Sequence, residues 1–123
     1  RSTGKFFPPA DFLQWDPTCH HARALEDAAL TDAFLEAPGD TYPMLYYIWG
    51  HSYEFERDHT WEQMESLCRR LAGRDDIWYV TNIDYYHYLQ AAHRLVYSAQ
   101  GDRVYNPTGI KVWVCDNGLV RTV

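Results

Sequence analysis

The chain is organised around one stretch, Tyr46-Tyr47-Ile48-Trp49-Gly50-His51-Ser52-Tyr53-Glu54-Phe55, in which an apolar run stops at Gly-His and then turns polar. The run begins after Pro43, and near-continuous hydrophobicity between Pro and Gly is typical of a parallel strand covered on both faces. A strand over residues 44–49 would present His51 at its carboxyl end, where catalytic groups gather in parallel α/β folds. His51 is therefore a candidate catalytic residue. The alternative role for its side chain is a hydrogen bond to a neighbouring loop.

Composition and charge exclude several classes of protein. The chain has 123 residues, enough for one domain, and its 46% hydrophobic and 16% aromatic content predicts a folded core rather than disorder. Its net charge is −6, and its longest basic cluster is Arg69-Arg70, so nucleic acid is disfavoured as a partner. We find no apolar run of about 18 residues and no signal peptide, so we expect no membrane partner.

The cysteines indicate the redox compartment. Cys19, Cys68 and Cys115 are odd in number and far apart in the sequence, which does not indicate a disulfide framework. A reducing compartment is the simpler interpretation, and we therefore expect a cytoplasmic protein.

The rest of the chain alternates between helical and strand patterns. Thr18 is a candidate cap for a helix over residues 22–37, whose apolar residues recur at helical spacing. Thr60 and Gln63 have capping-box spacing and open a second helix, which ends before Gly73 and has Cys68 on its predicted buried face. We also predict a short strand over residues 77–81 and a third helix over residues 83–95, which Asn82 would cap. Strand, helix, strand, helix is the pattern of a parallel sheet.

The last part of the chain changes character. Short apolar runs are separated by turn dipeptides, and Asn117-Gly118 is a strong signal for a two-residue hairpin. We therefore predict an α/β part over residues 1–96 and a β-rich tail of small antiparallel strands over residues 97–123.

Histidines and carboxylates are the candidates for chemistry. Adjacent His20 and His21 have poor spacing for binding one metal ion from a helix, although an extended loop can present either side chain. No Cys-x-x-Cys or His-Glu-x-x-His pattern occurs, so the sequence does not predict a complete zinc site. Glu54 lies three residues beyond His51 and is either the carboxylate that orients its imidazole or a solvated loop charge. Cys19, beside the two histidines, gives a weak signal for a thiol nucleophile.

Three longer motifs resemble a known family. The motifs are residues 49–55 with Trp61-Glu62, residues 73–83, and Pro17-Thr18-Cys19-His20-His21. Together they are similar to the carboxyl-terminal half of a bacterial branch of the polysaccharide deacetylase (NodB-homology) family. The resemblance implies a partial (β/α) barrel with a C-terminal antiparallel β extension, a divalent metal such as zinc, and hydrolysis of an N- or O-acetyl group on a carbohydrate. In that chemistry the metal polarises the acetyl carbonyl and activates a water, an Asp acts as base, and a late-strand His protonates the leaving group.

The resemblance implies roles for individual residues. His51 corresponds to the late-strand histidine, so its implied role is leaving-group acid. Trp49, Tyr53 and Glu54 would shape the site, while His20 and His21 would contact substrate or support the loop.

Two early motifs of the family, Thr-Phe-Asp-Asp and His-x-x-x-His, have no counterpart in this sequence. We therefore expect this chain to bind no metal by itself, to be inactive alone and to be the second half of a longer enzyme. The uncovered strand edges of a half barrel predict self-association or a partner segment that supplies the missing half.

Two other functions stay open at this point. One is a non-catalytic carbohydrate-binding or assembly module, in which the many aromatic side chains supply stacking surfaces for sugars. The other is a self-contained hydrolase that uses Cys19 and a histidine.

Overall fold

The computed structural model describes residues 2–37 and 43–123, and the chain divides into two compact units, Arg1–Ile77 and Trp78–Val123. The sequence had suggested a division after residue 96 instead. The elements of the first unit are β1 (Cys19–His20), α1 (His21–Glu26), α2 (Ala28–Glu36), β2 (Ile48–Trp49), α3 (Ser52–Arg57) and α4 (Trp61–Leu71). Those of the second are α5 (Asn82–His93), β3 (Val96–Tyr97), β4 (Val104–Tyr105), β5 (Trp113–Asp116) and β6 (Leu119–Thr122).

A parallel strand pair connects distant parts of the first unit. β1 pairs with β2, and His20 lies opposite Trp49. Thr18 extends the pairing, because its N–H donates to the Tyr47 carbonyl at 2.8 Å and its Oγ1 accepts from the Tyr47 N–H at 3.1 Å. The prediction that Thr18 caps a helix is therefore wrong. The cap of α1 is His20, whose Nδ1 accepts a 3.3 Å hydrogen bond from the Ala22 N–H.

The strand predicted over residues 44–49 is shorter and less covered than its sequence suggested. Only Ile48–Trp49 forms ladder structure, while the Leu45 N–H donates to the Phe6 carbonyl at 2.8 Å. Trp49 is 42% exposed. The expectation of a strand buried on both faces is therefore wrong for the described residues.

The helix predicted over residues 22–37 is interrupted at Asp27. This residue has φ −107° and ψ 83°, outside the helical region, and it separates α1 from α2. Asp weakens helix interiors, since its side chain competes for backbone hydrogen bonds. The interruption also changes which side chains are buried. Ala24, Leu30 and Thr31 are buried, whereas three apolar residues of the predicted helix are exposed, namely Ala28, Ala29 and Ala33.

The core of the first unit gathers side chains from β1, α1, α2 and α4. Its buried members are Cys19, Ala24, Leu30 and Leu67, with Phe6, Leu25, Tyr46, Ile48, Met64 and Leu71 packed against them. Cys68 was predicted to be a core thiol, but its side chain is exposed, so that prediction is wrong. Leu67, one position earlier on α4, is buried in the core instead.

The strand predicted over residues 77–81 does not form, because none of these residues makes ladder hydrogen bonds. The second unit starts within this segment, at Trp78. Its helix, α5, is capped by Thr81 instead of Asn82, because Thr81 Oγ1 accepts a 3.3 Å hydrogen bond from the Asp84 N–H. The predicted antiparallel tail is confirmed: β3 pairs with β4, and β5 pairs with β6. Asn117 and Gly118 have φ values of 50° and 81° and form the predicted hairpin turn.

Over residues 2–37 and 43–123 the fold is mixed helix and sheet, with three two-stranded pairs. Strands this short do not define a barrel, and no barrel closes within the residues that the structure describes. The partial barrel therefore stays a prediction. In the described ranges, no helix combines the length and the apolar character that crossing a bilayer requires.

Candidate functional site

The parallel pair brings two distant sequence motifs together. Because β1 and β2 run in the same direction, their carboxyl ends lie at one edge, and His20 faces Trp49 with ring centroids 4.8 Å apart. His21 follows at the start of α1, and the turn Gly50-His51 follows β2. The two motifs that the sequence singled out separately thus form one site.

A short helix that the sequence did not predict, α3, positions Glu54. The helix begins after His51, and the His51 backbone N–H donates to Glu54 Oε2 at 3.1 Å. This is one half of a capping box, and it places a carboxylate in the first turn, where the helix dipole favours negative charge.

The imidazoles that Glu54 contacts belong to His20 and His21. Glu54 Oε2 lies 3.1 Å from His20 Nε2 and 3.7 Å from His21 Nδ1. One of the two roles left open for Glu54 was to orient the His51 imidazole, but its hydrogen bond to His51 is through the backbone. Desolvation raises the pKa of the Glu54 carboxyl. The His51 N–H and the two neighbouring histidines outweigh this effect, so the pKa lies below its ordinary value and Glu54 is ionised at neutral pH.

His21 is the buried member of the site, at 3% exposure. Its Nδ1 has no hydrogen-bond partner, and its ring packs against Phe55 with centroids 4.5 Å apart. A Cβ on Gly50 would lie 1.9 Å from the same Nδ1, so only glycine leaves room there. Desolvation, followed by the neighbouring His20, lowers the pKa of His21, so its imidazole is neutral at physiological pH.

The tautomer of His20 follows from its hydrogen bonds. Nδ1 accepts from the Ala22 N–H, so the neutral ring carries its proton on Nε2 and donates it to Glu54. The two histidines lie side by side, with ring centroids 4.2 Å apart.

His51 and Tyr53 form the exposed side of the site. The His51 imidazole stacks on the Tyr53 ring at a centroid distance of 5.4 Å and an interplanar angle of 18°. Trp49 meets the His51 ring edge-on at 5.9 Å. Arg57 lies over the Tyr53 ring, with its guanidinium carbon 5.9 Å from the centroid. An exposed imidazole therefore stands between two aromatic surfaces.

All six site residues proposed from the sequence lie in this one region of the first unit. They are His20, His21, Trp49, His51, Tyr53 and Glu54. The sequence alone did not predict the grouping of His20, His21 and Glu54, whose ligand atoms all lie within 4.8 Å of one another. No local spacing predicts it, because it depends on the register of β1 against β2. The sequence also did not predict Phe55 as a packing partner of His21.

Cys19 does not have the properties of a nucleophile. Its side chain is fully buried, and burial raises the pKa of its thiol. A reactive cysteine needs access and a stabilised thiolate. This environment argues against the hydrolase that would use Cys19 and a histidine.

The second unit contains a separate groove, which we call the aromatic groove. It has a volume of about 530 Å³ and is lined by Trp78, Tyr79, Val80, Thr81, Asp84, His87, Tyr88, Ile110, Lys111 and Trp113. Tyr88 lies between two tryptophans, with its ring centroid 5.1 Å from that of Trp78 and 6.3 Å from that of Trp113. Both tryptophans are more than half exposed, at 53% and 54%.

Comparisons with protein-family models, with curated proteins and with solved structures found no match to this chain.

Proposed function

We propose that this chain provides the leaving-group-acid side of a metal-dependent carbohydrate deacetylase that hydrolyses N- or O-acetyl groups. The observation that carries the proposal is the placement of His51. Its exposed imidazole follows the carboxyl end of β2 and stands between the rings of Trp49 and Tyr53. That is where parallel α/β enzymes gather catalytic side chains, and the motif around His51 resembles the polysaccharide deacetylase family.

The proposed chemistry of His51 is proton donation. Histidine is the side chain that most often acts as a general acid, so His51 would give a proton to the leaving amine or alcohol as the acetyl C–N or C–O bond breaks. Its backbone is fixed by the hydrogen bond to Glu54, which limits the positions that the imidazole can sample.

The sugar would lie on the aromatic side chains next to His51. Trp49 and Tyr53 are 42% and 61% exposed, and the apolar faces of such rings suit the C–H faces of a sugar. Arg57, which lies over Tyr53, adds donors for sugar hydroxyls.

The resemblance also implies a divalent metal that polarises the acetyl carbonyl when bound. The family motifs that supply its ligands and the catalytic base are not found among these residues. We therefore propose that the chain by itself binds acetylated sugar without turning it over.

The proposal is tested by adding acetylated chito- and xylo-oligosaccharides to the full chain. Saturable shifts of the His51 imidazole signals are expected by NMR, with quenching of tryptophan fluorescence. Trp49→Ala should remove these effects, whereas His93→Ala, an exposed histidine of α5, should leave them intact. Acetate release should stay at background. Absence of any binding, or turnover by the chain alone, would contradict the proposal.

A second candidate is a non-catalytic carbohydrate-binding or assembly module, and the aromatic groove favours it. The aromatic rings of this groove, together with Asp84 and Lys111, offer stacking and hydrogen bonding. Sugar binding that survives His51→Ala and Trp49→Ala but is lost in Trp113→Ala would favour this module over the deacetylase.

We also propose a cytoplasmic location, because Cys19, Cys68 and Cys115 are all free thiols. A carbohydrate is the expected partner. The net charge of −6 gives no support to a nucleic-acid partner.

A further inference from the structure

We propose that His20, His21 and Glu54 form a binding site for a divalent cation of the zinc class. The site is independent of the deacetylase proposal, because it uses none of the family's metal motifs. It also departs from the expectation that this chain binds no metal by itself, which rested on the missing family motifs and on the spacing of the histidines.

The distances support one shared ion. His20 Nε2 lies 3.1 Å and His21 Nδ1 lies 3.7 Å from Glu54 Oε2. All three ligand atoms are within 4.8 Å of one another. Zinc binds His nitrogen and carboxylate oxygen at about 2.0–2.2 Å, so ligand atoms around it are separated by roughly 3–3.5 Å. Small side-chain rotations would bring the three atoms to that separation.

A second observation points to a missing ligand. His21 is 3% exposed, and Nδ1 has no hydrogen-bond partner although it faces Glu54. A buried polar atom without a partner is unfavourable and requires an explanation. A cation between His21 and Glu54 would satisfy it.

The chemistry of the three groups suits zinc. His20 and His21 each offer an imidazole nitrogen, and Glu54 offers a carboxylate oxygen. Two imidazoles and one carboxylate make up a donor set that zinc uses where a fourth position stays open for water. His20 and Glu54 are 28% and 13% exposed at their side chains, which leaves a route for the ion and its water.

Neighbouring groups hold two of the ligands in place. Glu54 is oriented by the His51 N–H, and the His21 ring is packed between Gly50 and Phe55. Such outer contacts reduce the reorganisation that binding requires.

Binding would change one existing hydrogen bond. Coordination through His20 Nε2 requires the imidazole proton to move from Nε2 to Nδ1 through solvent. The Ala22 N–H then loses its acceptor. That bond is long, at 3.3 Å, and it is a weak competitor for the ion.

The test is metal titration of the full chain after removal of metal with a chelator. Zn²⁺ is titrated by calorimetry, and Co²⁺ is followed by its visible absorption, which reports nitrogen and oxygen coordination. We expect a single saturable site. Glu54→Gln should weaken binding by about a hundredfold or more, since even outer-shell partners change metal affinity by about 10–100-fold. His20→Ala should do the same.

Matched controls separate this site from surface binding. Glu56→Gln removes a neighbouring carboxylate outside the cluster, and His93→Ala removes an exposed imidazole; both should bind Zn²⁺ like the wild type. Glu54→Gln keeps an oxygen that can accept from the His51 N–H, so its fold should survive, which far-UV circular dichroism checks. No saturable binding, or equal binding by wild type and Glu54→Gln, would overturn the proposal. Sugar binding in the presence of chelator tests the deacetylase proposal separately.

Discussion

At the scale of single residues, Gly50 decides whether the site can form. It lies against the buried imidazole of His21, and a Cβ there would be 1.9 Å from Nδ1 and 2.8 Å from Cε1. The ring has little freedom to move aside, because it also packs against Phe55. Gly50 thus allows the turn after β2 to approach α1 closely.

Gly50→Ala should therefore destabilise the protein. Forcing a methyl group into this contact should lower the free energy of unfolding by about 1–3 kcal/mol, the usual range for overpacking. Urea unfolding measures the change. The control is Gly109→Ala, because Gly109 has no atom within 4 Å of an added Cβ. Equal effects of the two substitutions would show that Gly50 is not a packing constraint.

His21 gives the metal-free protein a pH dependence. Desolvation and the neighbouring His20 lower its pKa from the ordinary 6.5, while Glu54 and Asp58 oppose this change and His51 adds to it. The unfolded chain therefore binds the proton more readily than the folded chain. The contribution of neutral His21 to the free energy of unfolding is fully present above pH 6.5 and decreases as the pH falls below 6.5. Glu54, whose pKa is also lowered, adds a loss in the same direction at lower pH.

We expect the free energy of unfolding, measured with urea in the presence of chelator, to fall between about pH 7.5 and about pH 5.5. His21→Gln has no titrating ring and should flatten this dependence. A wild type that becomes more stable on acidification would show that the ion pair of protonated His21 with Glu54 outweighs the burial of its ring.

At the scale of elements, the start of α5 offers a direct comparison of two candidate caps. Thr81 Oγ1 accepts from the Asp84 N–H at 3.3 Å and donates to the Asp84 carboxylate at 2.5 Å. Thr81→Ala should lower stability by about 1 kcal/mol, the typical effect of losing an N-cap. Asn82→Ala, at the first helical position, should have a smaller effect. Thermal unfolding of the two variants measures both, and the reverse order would restore Asn82 as the cap.

The β5–β6 hairpin depends on its two turn residues. Gly118 has φ 81°, so Gly118→Ala should destabilise the hairpin by about 1 kcal/mol. Asn117→Gly should be tolerated, because glycine readily adopts the φ of 50° found there. Amide hydrogen exchange across residues 113–122 measures both changes. Unchanged protection in Gly118→Ala would mean that the strands, rather than the turn, determine the pairing.

At the scale of the whole molecule, many large apolar side chains are exposed, among them Phe7, Leu13, Trp61, Ile83 and Val96. Exposed apolar side chains favour association with another chain where they form a contiguous patch. We therefore keep the prediction of self-association or of a partner segment. Light scattering coupled to size-exclusion chromatography should give a mass above that of one chain at high concentration. A monomer over the whole concentration range would contradict self-association.

The sequence by itself determined the features that depend on neighbouring residues. Asn117-Gly118 predicts its turn because positive φ is a local requirement, and the apolar run before Gly50 predicts a strand that presents His51 at its end. The capping-box spacing of Thr60 and Gln63 predicted a helix that begins at Trp61, although the Thr60 side chain makes no capping hydrogen bond. Local signals thus placed the elements better than they identified the contacts at their ends.

Only the tertiary structure decided which partner each polar group finds. Glu54 is close to His51 in sequence, yet its carboxylate contacts the imidazoles of His20 and His21, because the register of β1 against β2 sets them opposite the turn after Trp49. Thr18 has the chemistry of a helix cap but bonds to Tyr47 across the strand pair. Cap and turn preferences act over a few residues, whereas strand pairing joins segments that are far apart in the sequence. The histidine–glutamate cluster is a product of that pairing.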